Sequence, residues 1–360
     1  MAAARVFALN AHATYACRHS GACCTAGWTI PVEAHLLPLV GAGWLEPDEQ
    51  GACPRYERRS GLCQLQRDHG ERMLPESCHH FPRRALHDAR GTFVTLSHFC
   101  PTAATLLLDS TEPLRVVADA AGLPAARGYE GLDAREEWPP LLRRDVLFDH
   151  ESFGRWERHM VETLDSSTRS VGETLSALAA TAERLRAWDV SQGSLLDWTV
   201  RQLAAGEGTG TDPLVGDRYA EYEGWRAFRR AVEAVPAGLP RPLLPEPYDD
   251  LDATWIEPAW EQMAAGLRRF LAARAFASWT AYQSRGIRTQ VAELFMTAAI
   301  LRVECVRACA AAGQALNHDT VREAVRATDR LLVHLADRDR LLPWLGKAED
   351  DAPADRHRTR

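Results

Sequence analysis

Two rhythms of apolar and polar residues divide the chain near residue 110. Beyond it, apolar positions recur every three or four residues, the spacing that keeps one face of an α-helix dry. Trp260, Met263, Leu267 and Phe270 follow one another at steps of 3, 4 and 3, and Leu294, Ala298, Leu301, Cys305 and Ala308 at 4, 3, 4 and 3. The pattern predicts helices over about 151–165, 168–187, 191–205, 217–235, 258–282, 287–313 and 319–337. The last opens on Thr320-Val-Arg-Glu323, the order of a capping box. Five prolines between Val235 and Asp252 break the helical series with a long loop.

Before residue 110 only brief regular segments are legible. Arg5–Leu9 and Thr92–Leu96 read as strands, and Val32–Leu39 and Asp68–Leu74 as short helices. So little apolar periodicity cannot fold a segment by burial alone, so metal binding is expected to contribute to its folding free energy. The expected architecture is mainly α. Residues 1–110 form a cysteine-rich metal-binding module of short strands and loops, packed on an all-α helical domain over 111–345. The polar tail, 346–360, is expected to be disordered. No internal repeat is present.

With 360 residues, 46% apolar and 25% charged, the composition is that of an ordinary soluble protein. The net charge of −7 supplies no broad basic field, which argues against nucleic acid or an anionic membrane as partner. No run reaches the roughly 18 apolar residues of a membrane span. Met1 to His19 lacks a basic stretch followed by an apolar one, so no secretory signal is expected and the protein is placed in the cytoplasm. Lys347 is the only lysine among 42 basic residues, a bias that GC-rich codon usage explains.

Chemistry concentrates in the aperiodic part. Seven of nine cysteines lie there: Cys17, Cys23, Cys24, Cys53, Cys63, Cys78 and Cys100. In a reducing compartment such a set binds metal rather than forming disulfides, and soft thiolates select zinc, copper(I) or iron–sulfur clusters. Paired C-x2-C knuckles, the usual mark of a zinc ribbon, are absent, as is a C-x3-C-x2-C spacing. The ligands therefore come from separated loops, which suits a cluster enclosed by several segments. His79 and His80 follow Cys78 and His98 precedes Phe99-Cys100, positions from which an imidazole can ligate metal or donate to a cluster sulfur. Arg83 is a stronger candidate to steady an anionic cluster. Cys305 and Cys309 stand four apart on one predicted helix, within its apolar stripe, and read as core packing.

The motifs around these cysteines carry a resemblance. Cys17, Cys23-Cys24, Gly27-Trp28, Cys53-Pro54, Gly61-x-Cys63, Cys78-His-His-Phe81-Pro82-Arg83 and Cys100-Pro101 resemble, in order, the motifs of the flagellin lysine-N-methylase family. They are also similar to the YkgJ-type zinc- or iron-chelating clusters. Ser20 replaces one cysteine of the latter pattern, so an eight-thiolate site is not expected. The likeness extends more loosely to 270–282, 287–313 and 318–334. What it implies is a 4Fe–4S cluster and transfer of a methyl group from S-adenosylmethionine to a lysine of flagellin or another surface protein. Trp28, Tyr56 and Phe81 are candidates to line the acceptor site only because they adjoin the motifs, and each reads first as packing.

The residues do not by themselves reveal a methyl-donor site. Gly41-Ala-Gly43 follows Leu39-Val40 but lacks the helix and downstream acid of a dinucleotide fold. Two other readings stand beside the enzyme: a non-catalytic zinc or iron chelator, and a redox sensor using the spare thiolates. Neither accounts for some 230 helical residues behind the cluster.

Overall fold

The computed structural model describes residues 5–119, 131–205 and 218–350. Its one sizeable sheet is mixed and five-stranded, made of β1 (Val6–Leu9), β2 (Arg83–Asp88), β3 (Gly91–Leu96), β4 (Val116–Ala118) and β5 (Gly131–Asp133) in the order β4-β1-β3-β2-β5. β2 and β3 form an antiparallel hairpin with Asp88 opposite Gly91, and β1 runs parallel to β3 with Phe7 opposite Phe93. Alternation places Leu9, Leu86 and Phe93 on the face toward the helices, and Val6, Ala85 and Val94 on the other. β5 can lie against β2 only as glycine at its first position, since a Cβ on Gly131 would stand 2.2 Å from the Ala85 carbonyl oxygen.

The chain is mainly helical, as expected, but the part beyond residue 110 is not all-α. β4, β5 and the hairpin Leu141–Arg143/Val146–Leu147 belong to it. Strands of two or three residues show no periodicity of their own; here β4 and β5 are specified by pairing with β1 and β2, distant in sequence.

The longer helices are α1 (Pro101–Leu108), α2 (His150–Ser166), α3 (Val171–Arg186), α4 (Leu195–Ala204), α5 (Gly224–Glu233), α6 (Glu257–Ala275), α7 (Ile287–Ala312), α8 (His318–Asp329) and α9 (Arg338–Leu345). α7 is the central rod, contacted by α3, α5, α6 and α8. Cys305 and Cys309 are both fully buried in its core, as packing required. α6 stops at Ala275, short of the predicted end, where Ala277 adopts φ +54° and the chain turns. α8 is capped by Asn317 rather than Thr320: Asn317 Oδ1 accepts from the Asp319 and Thr320 amides, and Thr320 Oγ1 accepts from Asn317 N. Past Asp329 the backbone widens into a π-helical turn, Arg330–Leu335.

The expected disordered tail is ordered as far as residue 350. Glu349 is buried, paired with Arg186 and accepting from Thr289 N at 2.9 Å; residues 351–360 lie outside the described residues. The cysteine-rich segment keeps a small core of its own, with Ile30, Leu36, Val40, Leu45 and Leu65 packed beneath Cys53, Cys63 and Cys78. No helix among the described residues is long and apolar enough to cross a membrane.

Candidate metal centre

The seven cysteines of the N-terminal set arrive on six short segments. Cys17 lies in extended chain, Cys23 and Cys24 open a 3₁₀ turn, and Cys53 follows a loop that the Asp48 carboxylate ties to the Gln50 and Ala52 amides. Cys63 ends a two-residue strand, Cys78 sits in the one-turn helix Glu76–His80, and Cys100 caps α1. Backbone bonds then draw the loops together: Cys53 N donates to Cys24 O at 2.7 Å, and Gly27 N to Gly51 O at 2.9 Å. Gly21, at φ +70°, allows close approach of the Tyr56 ring, which a Cβ there would meet at 2.8 Å.

The result is one cavity of about 500 Å³ whose wall includes all seven cysteines. Five of them crowd one another. Cys23 and Cys24 have their sulfurs 4.0 Å apart, and donation from the Cys24 thiol holds Cys23 low, at about 7. Cys24 is correspondingly driven up, with burial and the Cys63 and Cys53 sulfurs adding to the effect. Burial likewise raises Cys53, and it raises Cys78 to about 12 with help from Cys23, Cys53 and Cys63. The remaining two keep different company. Cys17 is exposed and receives its nearest bond from His19 N, while Cys100 is buried with the Tyr15 hydroxyl 3.6 Å from its sulfur. The structure thus divides the seven into a crowded five and an outlying pair.

Thiols raised by burial and by one another stay protonated on their own, and a metal bound among them would have to displace those protons. Among the described residues no three His, Cys, Asp or Glu side chains converge to hold a single metal ion. A 4Fe–4S cluster makes a different demand, since each of its four cysteines ligates a separate iron. The cavity wall carries more than four cysteines from which such a set could be drawn.

Trp28, Phe81 and Arg83, expected beside the cluster, do line the cavity. Trp28 lies 5.3 Å from Phe81 and 4.6 Å from His334, centroid to centroid, and Arg83 stacks over Tyr15 at 5.2 Å. Tyr56 packs on Gly21 instead. His79 stands on the wall, 3.5 Å from Glu71, with the His80 ring 5.5 Å away. His98 is elsewhere: fully buried, with Nε2 3.0 Å from that of His12.

The inner end of the cavity holds a group that sequence reasoning missed. His334, on the π-helical turn, lines the wall and places Nε2 2.7 Å from Ser97 Oγ, which lies 2.6 Å from Asp329 Oδ2. Asp329 is held below the ordinary carboxylate range; burial opposes this, and His98, Arg274, His334 and Ser97 outweigh it. An ionised carboxylate only accepts, so Ser97 spends its one proton on Asp329 and must accept from His334 Nε2. That fixes the tautomer and leaves Nδ1 with a free lone pair. Burial, with Arg84, Arg274 and Arg330 nearby, lowers His334 to about 4 and keeps it neutral. Nothing in the local sequence marks this trio, in which Ser97 stands 232 and 237 residues from its two partners.

No family model matches the chain, and neither the curated proteins nor the solved structures contain a match.

Proposed function

We propose that the protein carries a 4Fe–4S cluster on Cys53, Cys63, Cys78 and one of Cys23 and Cys24, and that it transfers a methyl group from S-adenosylmethionine to a protein lysine. The observation behind the first half is the convergence of seven thiols, from six separate segments, on one cavity wall. The second half rests on the likeness of the cysteine motifs to flagellin lysine-N-methylases, and flagellin or another surface protein is the substrate it suggests.

When bound, such a four-cysteine cluster would supply a one-electron centre. The chain's own residues supply the rest. At about 500 Å³ the cavity is within the range of small-molecule sites, with room beside the thiols. Trp28 and Phe81 give it an apolar flank. A lysine attacks only as the free amine, and His334, neutral and too weak a base to take a lysine's proton, offers Nδ1 as a hydrogen-bond acceptor that can orient the amine on the same wall.

Anaerobic purification with iron and sulfide analysis tests the cluster, and calorimetry with S-adenosylmethionine tests the enzyme. A colourless zinc protein would sink the first; absence of binding at millimolar ligand would sink the second. One observation favours a second reading, a zinc or iron chelator without catalysis. The 4.0 Å between the Cys23 and Cys24 sulfurs is close to the separation of about 3.8 Å for two thiolates on one tetrahedral zinc ion. Zinc content without donor binding would select it.

A further inference from the structure

Behind the sheet lies a second, smaller cavity, of about 30 Å³, that the cysteine site does not use. Three guanidiniums face it, those of Arg84, Arg274 and Arg338, against two carboxylates, Glu293 and Asp329. Both carboxylates are already engaged. Glu293 accepts from Arg274 at 3.2 Å, from Arg338 at 3.4 Å, from Ser278 at 3.2 Å and from Thr280. Asp329 accepts from Ser97 and from Phe99 N, and pairs with Arg274 at 3.7 Å. One positive charge is left over.

That charge is on Arg84. Its guanidinium stacks on the Trp279 ring at 4.1 Å and makes no hydrogen bond or ion pair among the described residues. Burial, reinforced by Arg274 and Arg338, lowers it to about 10, the response of a cation lacking a counter-ion. Across the cavity wait further unused polar atoms: Thr95 Oγ1, Arg274 Nε and Nδ1 of His98, a residue only 1% exposed. Arg84 is partly buried, a charge drawn from water without a partner is costly, and a guanidinium fork matches the two oxygens of a carboxylate. At roughly 10–15 Å³ for each water-sized group, the cavity has room for about two such oxygens.

We infer that Arg84, with Thr95 opposite, forms a binding site for one small carboxylate group. The site stands apart from the metal reading and does not depend on it. The test uses the full chain titrated with sodium acetate, and separately with methionine, at constant ionic strength, followed by calorimetry and thermal melting. Saturable binding of acetate is expected; tighter binding of methionine would mark the site as seating the end of an amino acid. Arg84→Met should weaken binding at least about tenfold, and Thr95→Val, which preserves shape, by about three- to tenfold. Should Arg84→Met fail to fold, Thr95→Val and a crystal structure grown in acetate decide the matter. Acetate between Arg84 and Thr95 supports the site. Ordered waters alone at that position, or identical acetate responses in wild type and variants, overturn it.

Discussion

Ser97 donates to Asp329 across 2.6 Å, joining the end of β3, just before Cys100, to the end of α8 more than 230 residues later. Asp329 also accepts from Phe99 N, so two consecutive turns of the cysteine-bearing chain hang on one carboxylate. Removing it leaves the buried Phe99 amide without its acceptor and Arg274 with Glu293 alone. Asp329→Ala is expected to cost about 3–5 kcal/mol in urea unfolding, and Ser97→Ala about 1–2 kcal/mol. Equal, sub-kilocalorie effects would show that the junction is held elsewhere.

The division of the thiols makes a sharper demand. Cys53→Ser, Cys63→Ser and Cys78→Ser should each abolish most of the bound iron. Cys17→Ser, at the exposed rim, and Cys305→Ser, in the α7 core, should leave iron content near wild type. Iron per chain, measured after anaerobic purification, decides; loss in Cys17→Ser as deep as in Cys63→Ser would dissolve the distinction between the five and the pair.

Gly21→Ala tests the frame around the centre. The substitution forces a side chain into φ +70° and against the Tyr56 ring. A loss of about 1–3 kcal/mol is expected, together with reduced iron loading, since Cys23 follows two residues later. Full loading with wild-type stability would mean that Tyr56 swings away at little cost.

The buried imidazoles give the stability curve a slope. His98 is lowered to about 4, by burial first and by Arg274 second, and His12 is lowered by burial and by His98. Both are neutral when folded, whereas the unfolded chain takes up a proton at about pH 6.5. Their contribution is therefore whole above that pH and is lost as pH falls from about 6.5 toward 4. Each contributes a slope of about 1.4 kcal/mol per pH unit within that window. Urea midpoints at pH 7.5, 6 and 5 should fall in that order, and the His98 imidazole resonance of the folded protein should not titrate above about pH 5.

His334→Phe keeps the aromatic contact with Trp28 and removes the Nδ1 hydrogen-bond acceptor that would orient the amine. Iron content and S-adenosylmethionine binding should survive, while methyl transfer to lysine falls by about a hundredfold. Undiminished transfer would leave His334 a packing residue.

The helices were legible because their stripes are long. Trp260 to Phe270 and Leu294 to Ala308 show several turns of regular spacing, and both fall in observed helices. Their ends were less so, because Ala277 and the turn after Asp329 depart from α geometry for reasons of packing. β4 and β5 were invisible, being three residues each and specified by partners far away. At the site, the cysteine motifs pointed to the residues that now line the cavity. The separation into five and two was hidden, since spacing along the chain says nothing about which loops meet. His334 and Asp329 lay on a helix that read simply as amphipathic, and only the meeting of two distant segments gives them chemistry.

The cavity wall runs from Tyr15 to His334, and Arg330 grips the Ala26 carbonyl oxygen at 2.8 Å to close it. Synthesis proceeds from the N-terminus, so every cysteine is exposed to the cell long before its far wall exists. During that interval the thiols are open to scavenging by stray metal or oxidant. On the cluster reading proposed above, delivery belongs to the moment after the last helices leave the ribosome, and the order of translation itself becomes a condition for correct loading.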